Sequence, residues 1–275
     1  MTLEELAEHV NCLSWGALGV PEPLAPLLIP LRRRRQLIAG GPAGRLEFQL
    51  LAALGLSGWS VRDDLVRAVN YGRPLQTGSG MYLRALARVA QAGLWQTRQA
   101  HIARRPLSLV RLTDLGRELL LACGVPVVAL ELERIEQAHR GRPEEQPAHT
   151  AAICAFLYHA RRYGYETQAC PDSHAPAEPD AFIARGDEVY YVEVQRRGGA
   201  VARRAQKWWN LYQLQGCVVI CATSPADARR FAAEARIAGA RQGYVTDLAT
   251  LAHGRPPDLW TWRWRSLYSP LEPCG

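Results

Sequence analysis

The first half of the chain limits the possible folds most, through the order of its helical and strand-like patterns. Three stretches with apolar residues at helical spacing come first, then two short strand-like stretches, then one more helical stretch. In chain order these are Leu46–Leu54, Ser60–Val69, Gly80–Trp95, Leu94–Arg98, Leu107–Leu112 and Thr113–Leu120. We expect Ser60 to cap the second helix and Thr113 or Asp114 to cap the last one. Three helices, a two-stranded ribbon and a closing helix predict a winged helix-turn-helix domain over residues 45–125.

The third helix is predicted to have one apolar face and one separate polar face. At about 100° per residue, the apolar face holds Leu83, Leu86, Ala87 and Ala90. The polar face holds Arg84, Arg88 and Gln91. Because the corresponding helix of a helix-turn-helix lies in the major groove of DNA, we expect these three polar side chains to contact bases or phosphates there.

Charge is distributed unevenly along the chain. Residues 1–125 carry 15 basic and 9 acidic side chains, and residues 126–275 carry 18 and 17, so nearly all of the net charge of +7 belongs to the first half. No acidic residue occurs between Asp64 and Asp114, a stretch with eight arginines. Such a basic surface predicts double-stranded DNA as the partner, with protein contacts by the winged helix as the alternative. The ribbon residues predicted to contact phosphate or the minor groove are Arg98, Arg104 and Arg105.

The rest of the sequence predicts the domain bounds, the state of the cysteines and the partners that are not expected. Residues 1–44 form an N-terminal extension, residues 126–147 a helix and linker, and residues 148–275 a second domain. Seven cysteines, an odd number without a C-x-x-C pair, indicate reduced thiols and a cytoplasmic protein. The apolar run Leu24–Leu31 is too short to span a membrane, so we expect no membrane partner. No glycine-rich phosphate loop is present, and no small-molecule cofactor is expected.

The second domain has the alternating helices and strands of an α/β fold, predicted as three α/β/α layers. Asp180 begins one strand, while Glu193 and Gln195 lie on one face of the next. A turn at Gly186 brings the two strands side by side. Because carboxylate oxygens are the preferred ligands of hard cations, Asp180 and Glu193 are predicted to bind Mg²⁺ or Mn²⁺. Such an ion polarises a phosphodiester and activates a water molecule.

Pro179-Asp180, twelve intervening residues, and then Glu193 and Gln195 resemble the motif of the PD-(D/E)XK nuclease superfamily over roughly residues 147–251. With the preceding winged helix, the chain resembles more narrowly the bacterial replication-relaxation family. The residues that match are His149, Pro179, Asp180, Tyr191, Val192, Glu193, Val194, Lys207 and Tyr212. The resemblance implies a nuclease-like domain and a role in the replication or mobilisation of a plasmid, phage or mobile element, or in its control.

Two departures from the superfamily pattern bear on activity. The motif lysine is replaced by Gln195, whose amide can orient a water molecule but carries no charge. The first helix has no acidic residue between Thr150 and Tyr163, where many active members have one. Lys207, the only lysine in the chain, is therefore predicted to supply the missing charge. The predicted catalytic set is Asp180, Glu193, Gln195 and Lys207.

Three functions follow from these observations. The first is a DNA-binding protein of a mobile element that acts in replication, mobilisation or its regulation. The second is a magnesium-dependent DNA endonuclease or nickase. The third is a transcription regulator whose second domain mediates oligomerisation or partner binding. The sequence leaves the oligomeric state open, with a homodimer among the alternatives. His149, His159 and His174 lack metal-ligand spacing with the cysteines, so structural roles are expected for them.

Overall fold

The computed structural model describes residues 1–11, 42–70, 80–140, 146–172, 178–196, 201–254 and 256–274. The fold is mixed α/β and divides into two compact units. The first unit comprises Met1–Gln99 and Ser108–Glu133, and the second comprises Ala100–Leu107 and Arg134–Gly275. Among the described helices, none is both long and apolar enough to cross a membrane. Leu24–Leu31, His174, most of the predicted N-terminal extension and most of the predicted linker lie outside the described residues.

The first unit consists, in its described part, of helices and one two-stranded sheet. Its helices are α1 (Leu3–Asn11), α2 (Pro42–Ser57), α3 (Arg62–Val69), α4 (Gly80–Gln91), α5 (Asp114–Ala122) and the start of α6 (Glu131–Ala138). The two strands are β1 (Trp95–Ile102) and β2 (Arg105–Leu112), whose residues in Ala100–Leu107 are grouped with the second unit. Leu6 and Val10 of α1 are fully buried in one core with Phe48 and Leu51 of α2 and Leu65 of α3. Helix α1 is therefore an integral part of this unit.

Helix α4 buries a different face from the predicted one. Its buried residues are Ala85, Leu86 and Val89. Leu83 is 55% exposed, and Ala87 and Ala90 are exposed as well, so the predicted apolar face was wrong for these three residues. Val89 follows Leu86 by three positions, and this pair sets the direction of the buried stripe, because two alanines contribute little burial energy compared with a valine.

Ser60 is not the N-cap of the second helix, contrary to the prediction. The N-cap of α3 is Val61, which makes no side-chain cap. Ser60 is buried, and its Oγ accepts a hydrogen bond of 3.1 Å from the N–H of Leu132 at the start of α6. In return, the Glu131 carboxylate accepts the N–H of Ser60 at 2.9 Å. Ser60 therefore caps a helix 71 residues away, whereas Thr113 caps α5 as predicted through the N–H of Gly116.

The β1–β2 hairpin is longer and more tightly turned than predicted. The turn consists of Ala103 and Arg104, both with positive φ (50° and 64°). Two left-handed residues match the twist of the flanking strands, so the ladder continues through residues that were predicted as a loop. Arg104 therefore lies in the turn itself, and Arg98 and Arg105 lie on the two strands.

The second unit is organised around a seven-stranded mixed sheet. In their order across the sheet, the strands are β3 (Glu166–Ala169), β4 (Ala181–Arg185), β5 (Glu188–Gln195), β6 (Val218–Ala222), β7 (Gly243–Asp247), β8 (Trp262–Trp264) and β9 (Glu272–Pro273). The described helices that lie wholly in this unit are α7 (Gln146–Arg162), α8 (Val201–Gln215), α9 (Pro225–Ile237) and α10 (Leu248–His253). Strand β6 pairs parallel with β5 and β7, and all other pairs are antiparallel.

One face of strand β6 packs against α8 and α9. Val218 and Ile220 lie on that face, in a fully buried cluster with Trp208 of α8 and Phe231 of α9. Glu193 of β5 pairs in register with Ile220. Because residues in register on neighbouring strands point to the same side of a sheet, Glu193 faces α8.

Two elements differ from the predicted pattern for identifiable reasons. Helix α6 starts at Glu131 and not at Pro126, because the N–H groups of Val128 and Glu131 donate to Gly55 and Gly58 and hold the intervening backbone outside the helix. Strand β3 was not predicted, because its sequence Glu-Thr-Gln-Ala has no alternation of apolar side chains. Its backbone pairing with β4 forms the strand instead.

Candidate functional site

Asp180 and Glu193 lie opposite each other at the start of β4 and near the end of β5. The antiparallel register pairs Ala181 with Val192, and the adjoining positions on the same line are Asp180 and Glu193. The turn between the strands contains Gly186 in a left-handed conformation (φ 56°), as the predicted hairpin requires. Both carboxylates are buried, with exposures of 2% and 1%. The predicted proximity of the two carboxylates is therefore a direct result of strand register.

Each oxygen of the Asp180 carboxylate has its own set of neighbours. Oδ2 accepts the backbone N–H of Val194 at 2.9 Å. Oδ1 lies 3.2 Å from Nε2 of His149 and 3.4 Å from Nε2 of His139. Burial acts to raise the pKa of Asp180, but Lys207 and the two imidazoles outweigh it and hold this pKa well below its usual value. Asp180 is therefore the ionised centre of the cluster.

His139 is held in place from both sides of its ring. Its Nδ1 donates to the carbonyl oxygen of Ile135, one helical turn earlier, at 3.0 Å. Its ring contacts that of His149 edge to face, with centroids 4.8 Å apart. Hydrogen bonding to Asp180, and secondarily to Cys170, raises the pKa of His139 from 6.5 to about 10. Without a bound cation, His139 is therefore an imidazolium beside a carboxylate at neutral pH.

Lys207 of α8 contacts the second carboxylate. Its Nζ forms a hydrogen-bonded ion pair with Oε1 of Glu193, on the face of the sheet that packs against α8. Burial and the nearby Asp180 raise the pKa of Glu193 from 4.5 to about 8, and Lys207 opposes that rise. The other oxygen of Glu193, Oε2, is buried and has no hydrogen-bond partner in the described part of the chain.

No contact described for the Gln195 side chain joins it to the cluster of Asp180, Glu193 and Lys207. Its Nε2 donates to the carbonyl oxygen of Arg196 at 2.6 Å. Of the four predicted catalytic residues, the structure thus brings together Asp180, Glu193 and Lys207. A side chain that already donates to the adjoining backbone is poorly placed to orient a water molecule at the carboxylates.

The two histidines were missed as members of the site. Nε2 of His139, Nε2 of His149 and one oxygen of Asp180 all lie within 4.8 Å of one another, a grouping that can hold a metal ion. The structural role expected for His149 rested on its spacing from cysteines, but the side chain that it contacts is a carboxylate 31 residues away. Only the match of His149 to the family motif pointed towards the site. For His139, ten residues earlier, the sequence carries no signal.

The predicted DNA-contacting residues fall into two groups in the structure. Arg84 and Gln91 of α4 and the ribbon arginines Arg98, Arg104 and Arg105 are exposed. Arg88 is 29% exposed and forms an ion pair with Glu47 of α2, which is 1% exposed. The charge of Arg88 is therefore partly neutralised within the unit, and its guanidinium holds a buried carboxylate.

The centre combines two carboxylates, two imidazoles and one ammonium group. Carboxylate oxygens and imidazole nitrogens are metal ligands, and an ammonium group binds phosphate oxygens. The orphaned oxygen of Glu193 beside the ionised Asp180 suits a divalent cation in particular. No protein-family model matches the chain, and searches of curated proteins and of solved structures also found no match.

Proposed function

We propose that this chain binds duplex DNA and hydrolyses a phosphodiester bond at a divalent-metal site containing Asp180 and Glu193. The observation that carries the proposal is the contact of Lys207 with Glu193, directly across from Asp180. Two buried carboxylates can hold a metal ion that polarises a phosphodiester, and an ammonium group can stabilise the negative charge that develops. The only lysine of the chain lies at this position although Gln195 replaces the motif lysine.

The order of elements in the second unit supports the resemblance to PD-(D/E)XK nucleases. Helix α7 is followed by three antiparallel strands, then by α8 and the parallel strand β6. Asp180 precedes the second of these strands and Glu193 lies on the third. We propose on this basis that the unit is a nuclease-like domain of the replication-relaxation type, acting in replication or mobilisation of a mobile element.

The roles of the residues follow from their contacts. Asp180 and Glu193 are the proposed ligands of Mg²⁺ or Mn²⁺, which supplies a Lewis acid and lowers the pKa of water. Lys207 lies beside Glu193 and is 35% exposed, so its ammonium group can reach a phosphate oxygen and stabilise developing negative charge. Val194 fixes the Asp180 carboxylate through its backbone N–H.

DNA binding is proposed for the first unit and the hairpin. The exposed residues Arg84 and Gln91 on α4 support contacts in the major groove. The exposed arginines of β1, β2 and their turn support contacts with phosphates. In its described part, the stretch between Asp64 and Asp114 offers these cations without any acidic side chain that would repel DNA.

Nicking of supercoiled plasmid DNA tests the proposal. Wild-type protein with Mg²⁺ or Mn²⁺ is expected to convert the supercoiled form to the open-circular form, and EDTA to prevent this. Lys207→Ala is expected to slow nicking about 100-fold or more, as loss of one electrostatic contact to the transition state does. Arg203→Ala is the matched control, because this exposed residue lies one turn earlier on the same helix. Equal rates for the two variants would exclude the proposed role of Lys207.

A regulator that binds DNA without cutting it is the second candidate, and one observation favours it. Both oxygens of Asp180 and one oxygen of Glu193 already have partners within the protein. Such a network can serve as a structural element of the second unit. This candidate predicts no nicking with either metal, and unchanged DNA affinity in Asp180→Asn.

A further inference from the structure

Three ligand atoms converge at the junction of α6, α7 and β4. They are Nε2 of His139, Nε2 of His149 and Oδ1 of Asp180, and the two nitrogens lie 3.4 Å and 3.2 Å from this oxygen. In a tetrahedral site with bonds of about 2.0–2.1 Å, neighbouring ligand atoms lie about 3.3 Å apart. The spacing around Asp180 Oδ1 therefore already matches that of bound ligands.

In His139 and Asp180, the polar atom that does not face the cluster is held by a backbone group. Nδ1 of His139 donates to the carbonyl oxygen of Ile135, and Oδ2 of Asp180 accepts the N–H of Val194. Histidine ligands of metals usually donate their second ring nitrogen in this way, which directs the first nitrogen at the ion. The backbone contacts thus orient Nε2 of His139 and Oδ1 of Asp180 towards a common point.

Glu193 supplies an independent sign of a missing ligand. Its side chain is 1% exposed, and its Oε2 has no hydrogen-bond partner in the described part of the chain. The strand register places Glu193 directly opposite Asp180, so this unsatisfied carboxylate lies beside one of the three cluster residues. An unsatisfied buried carboxylate oxygen is costly, and a bound cation removes that cost.

We propose that His139, His149 and Asp180 bind a first-row transition-metal ion of the Zn²⁺ type in preference to Mg²⁺. Two imidazoles and one carboxylate are a ligand set for zinc, iron or manganese, whereas Mg²⁺ prefers oxygen ligands in an octahedral arrangement. Three protein ligands leave one coordination position open for water or a substrate oxygen. This site goes beyond the proposed function, because the ion binds whether or not the protein cuts DNA.

Calorimetric titration of EDTA-treated, dialysed full-length protein tests the site. Zn²⁺ is expected to bind with a stoichiometry of one and at least about 100-fold more tightly than Mg²⁺, because the site has two nitrogen ligands. Titration with Co²⁺ is expected to give the visible absorption of a four- or five-coordinate ion. Absence of saturable Zn²⁺ binding to folded wild-type protein would overturn the proposal.

Histidine variants connect the binding to the named ligands. His149→Gln and His139→Gln are each expected to weaken Zn²⁺ binding about 100-fold, the upper end of the loss caused by removing even an outer-shell partner. His253→Gln is the matched control, because this exposed ring also contacts the carbonyl four residues earlier, at 2.9 Å, but lies outside the cluster. Zn²⁺ binding that survives both cluster variants would show that the ion binds elsewhere on the chain and would overturn the proposal.

Folding and activity are measured separately on the same preparations. Far-UV circular dichroism identifies any variant that fails to fold, and in that case the other histidine variant and the wild-type Co²⁺ spectrum decide. Zn²⁺ binding without plasmid nicking would contradict the proposed nuclease function but not the histidine metal site. Nicking with Mg²⁺ without Zn²⁺ binding would contradict the histidine metal site but not the nuclease function.

Discussion

At the scale of single residues, burial determines what each charged group in the centre can do. Glu193 is nearly inaccessible, and Lys207 is its charged partner. Buried carboxylates are stable only with hydrogen bonds or counter-charges, so each contact in this centre also stabilises the fold. Strand alternation and a tight turn predicted that Asp180 and Glu193 lie together. Lys207 was predicted beside them because it is the only lysine in the chain and Gln195 replaces the motif lysine. The sequence could not predict His139, which reaches Asp180 from outside the sheet.

Lys207→Ala is expected to destabilise the protein by about 1–2 kcal/mol, less than for a fully buried pair because Lys207 is partly exposed. Lys207→Ala is expected to cost less stability in the Glu193→Gln protein than in wild type, because the glutamine is uncharged and no buried charge is left unpaired. Urea unfolding of the four proteins of this cycle measures the coupling. Arg263→Ala, which removes an ion pair with side-chain exposures of 38% and 42%, serves as the control and is expected to cost at most about 0.5 kcal/mol. Strict additivity in the cycle would contradict the pairing.

The metal-free protein is expected to lose stability as the pH rises from 6.5 to 10 through His139. The pKa of His139 is about 10 in the fold and 6.5 when unfolded, so the folded state binds an extra proton across this window. The stabilisation that His139 contributes is complete below pH 6.5, and it is lost as the pH rises through the pKa of His139 in the folded protein. Urea midpoints in EDTA at pH 6 and pH 9 measure the effect. His139→Gln is expected to show a smaller decrease than wild type, and an equal decrease would contradict the assignment.

At the scale of elements, the sequence predicted most helices and strands but not all of their faces and caps. Helix α4 was found from its periodicity, yet Leu83 of the predicted apolar face is exposed and Val89 is buried. Where apolar residues lie on several sides of a helix, tertiary contacts decide which side is buried. Ser60 has the chemistry of an N-cap, and it caps α6 instead of the adjacent α3. Local sequence identifies a capping residue, but tertiary contacts decide which helix it caps.

Ser60→Ala is expected to lower the stability of the first unit by about 1–2 kcal/mol. The substitution removes the acceptor for the N–H of Leu132, and it leaves that buried donor unsatisfied. Urea unfolding followed by circular dichroism measures the loss. Ser108→Ala is the control, because its Oγ donates to the side-chain oxygen of Gln99, an exposed residue that can bind water instead. A loss below about 0.3 kcal/mol for Ser60→Ala would contradict the long-range cap.

The two arginines of α4 are expected to have different roles. Arg84→Ala is expected to weaken DNA binding and reduce its salt dependence by about one unit, with stability unchanged, because Arg84 is exposed. Arg88→Ala is expected to destabilise the fold by about 2–3 kcal/mol, because it leaves the buried carboxylate of Glu47 unpaired. Electrophoretic mobility shifts at several salt concentrations and urea unfolding separate the effects. Arg229→Ala, on the exposed side of α9, is the control for both measurements.

At the scale of the whole molecule, charge and chemistry are divided between the two halves of the sequence. Most of the net positive charge lies in residues 1–125, and the carboxylate centre lies in the second unit. The sequence predicted a mixed α/β fold, and the structure confirms it. Strand β3, which has no apolar alternation, and the histidine side of the centre depend on tertiary contacts that periodicity does not encode. DNA binding in one half and hydrolysis in the other remain the proposal.

The most direct test of DNA hydrolysis compares plasmid nicking by Asp180→Asn and Asp172→Asn with that of wild type. Both substitutions remove one carboxylate charge from the second unit, but Asp180 is buried in the centre and Asp172 is exposed. With Mg²⁺ or Mn²⁺, wild type and Asp172→Asn are expected to nick supercoiled plasmid at the same rate, and Asp180→Asn is expected to be inactive while still binding DNA. Nicking by Asp180→Asn at the wild-type rate, or none by folded wild type, would contradict the account.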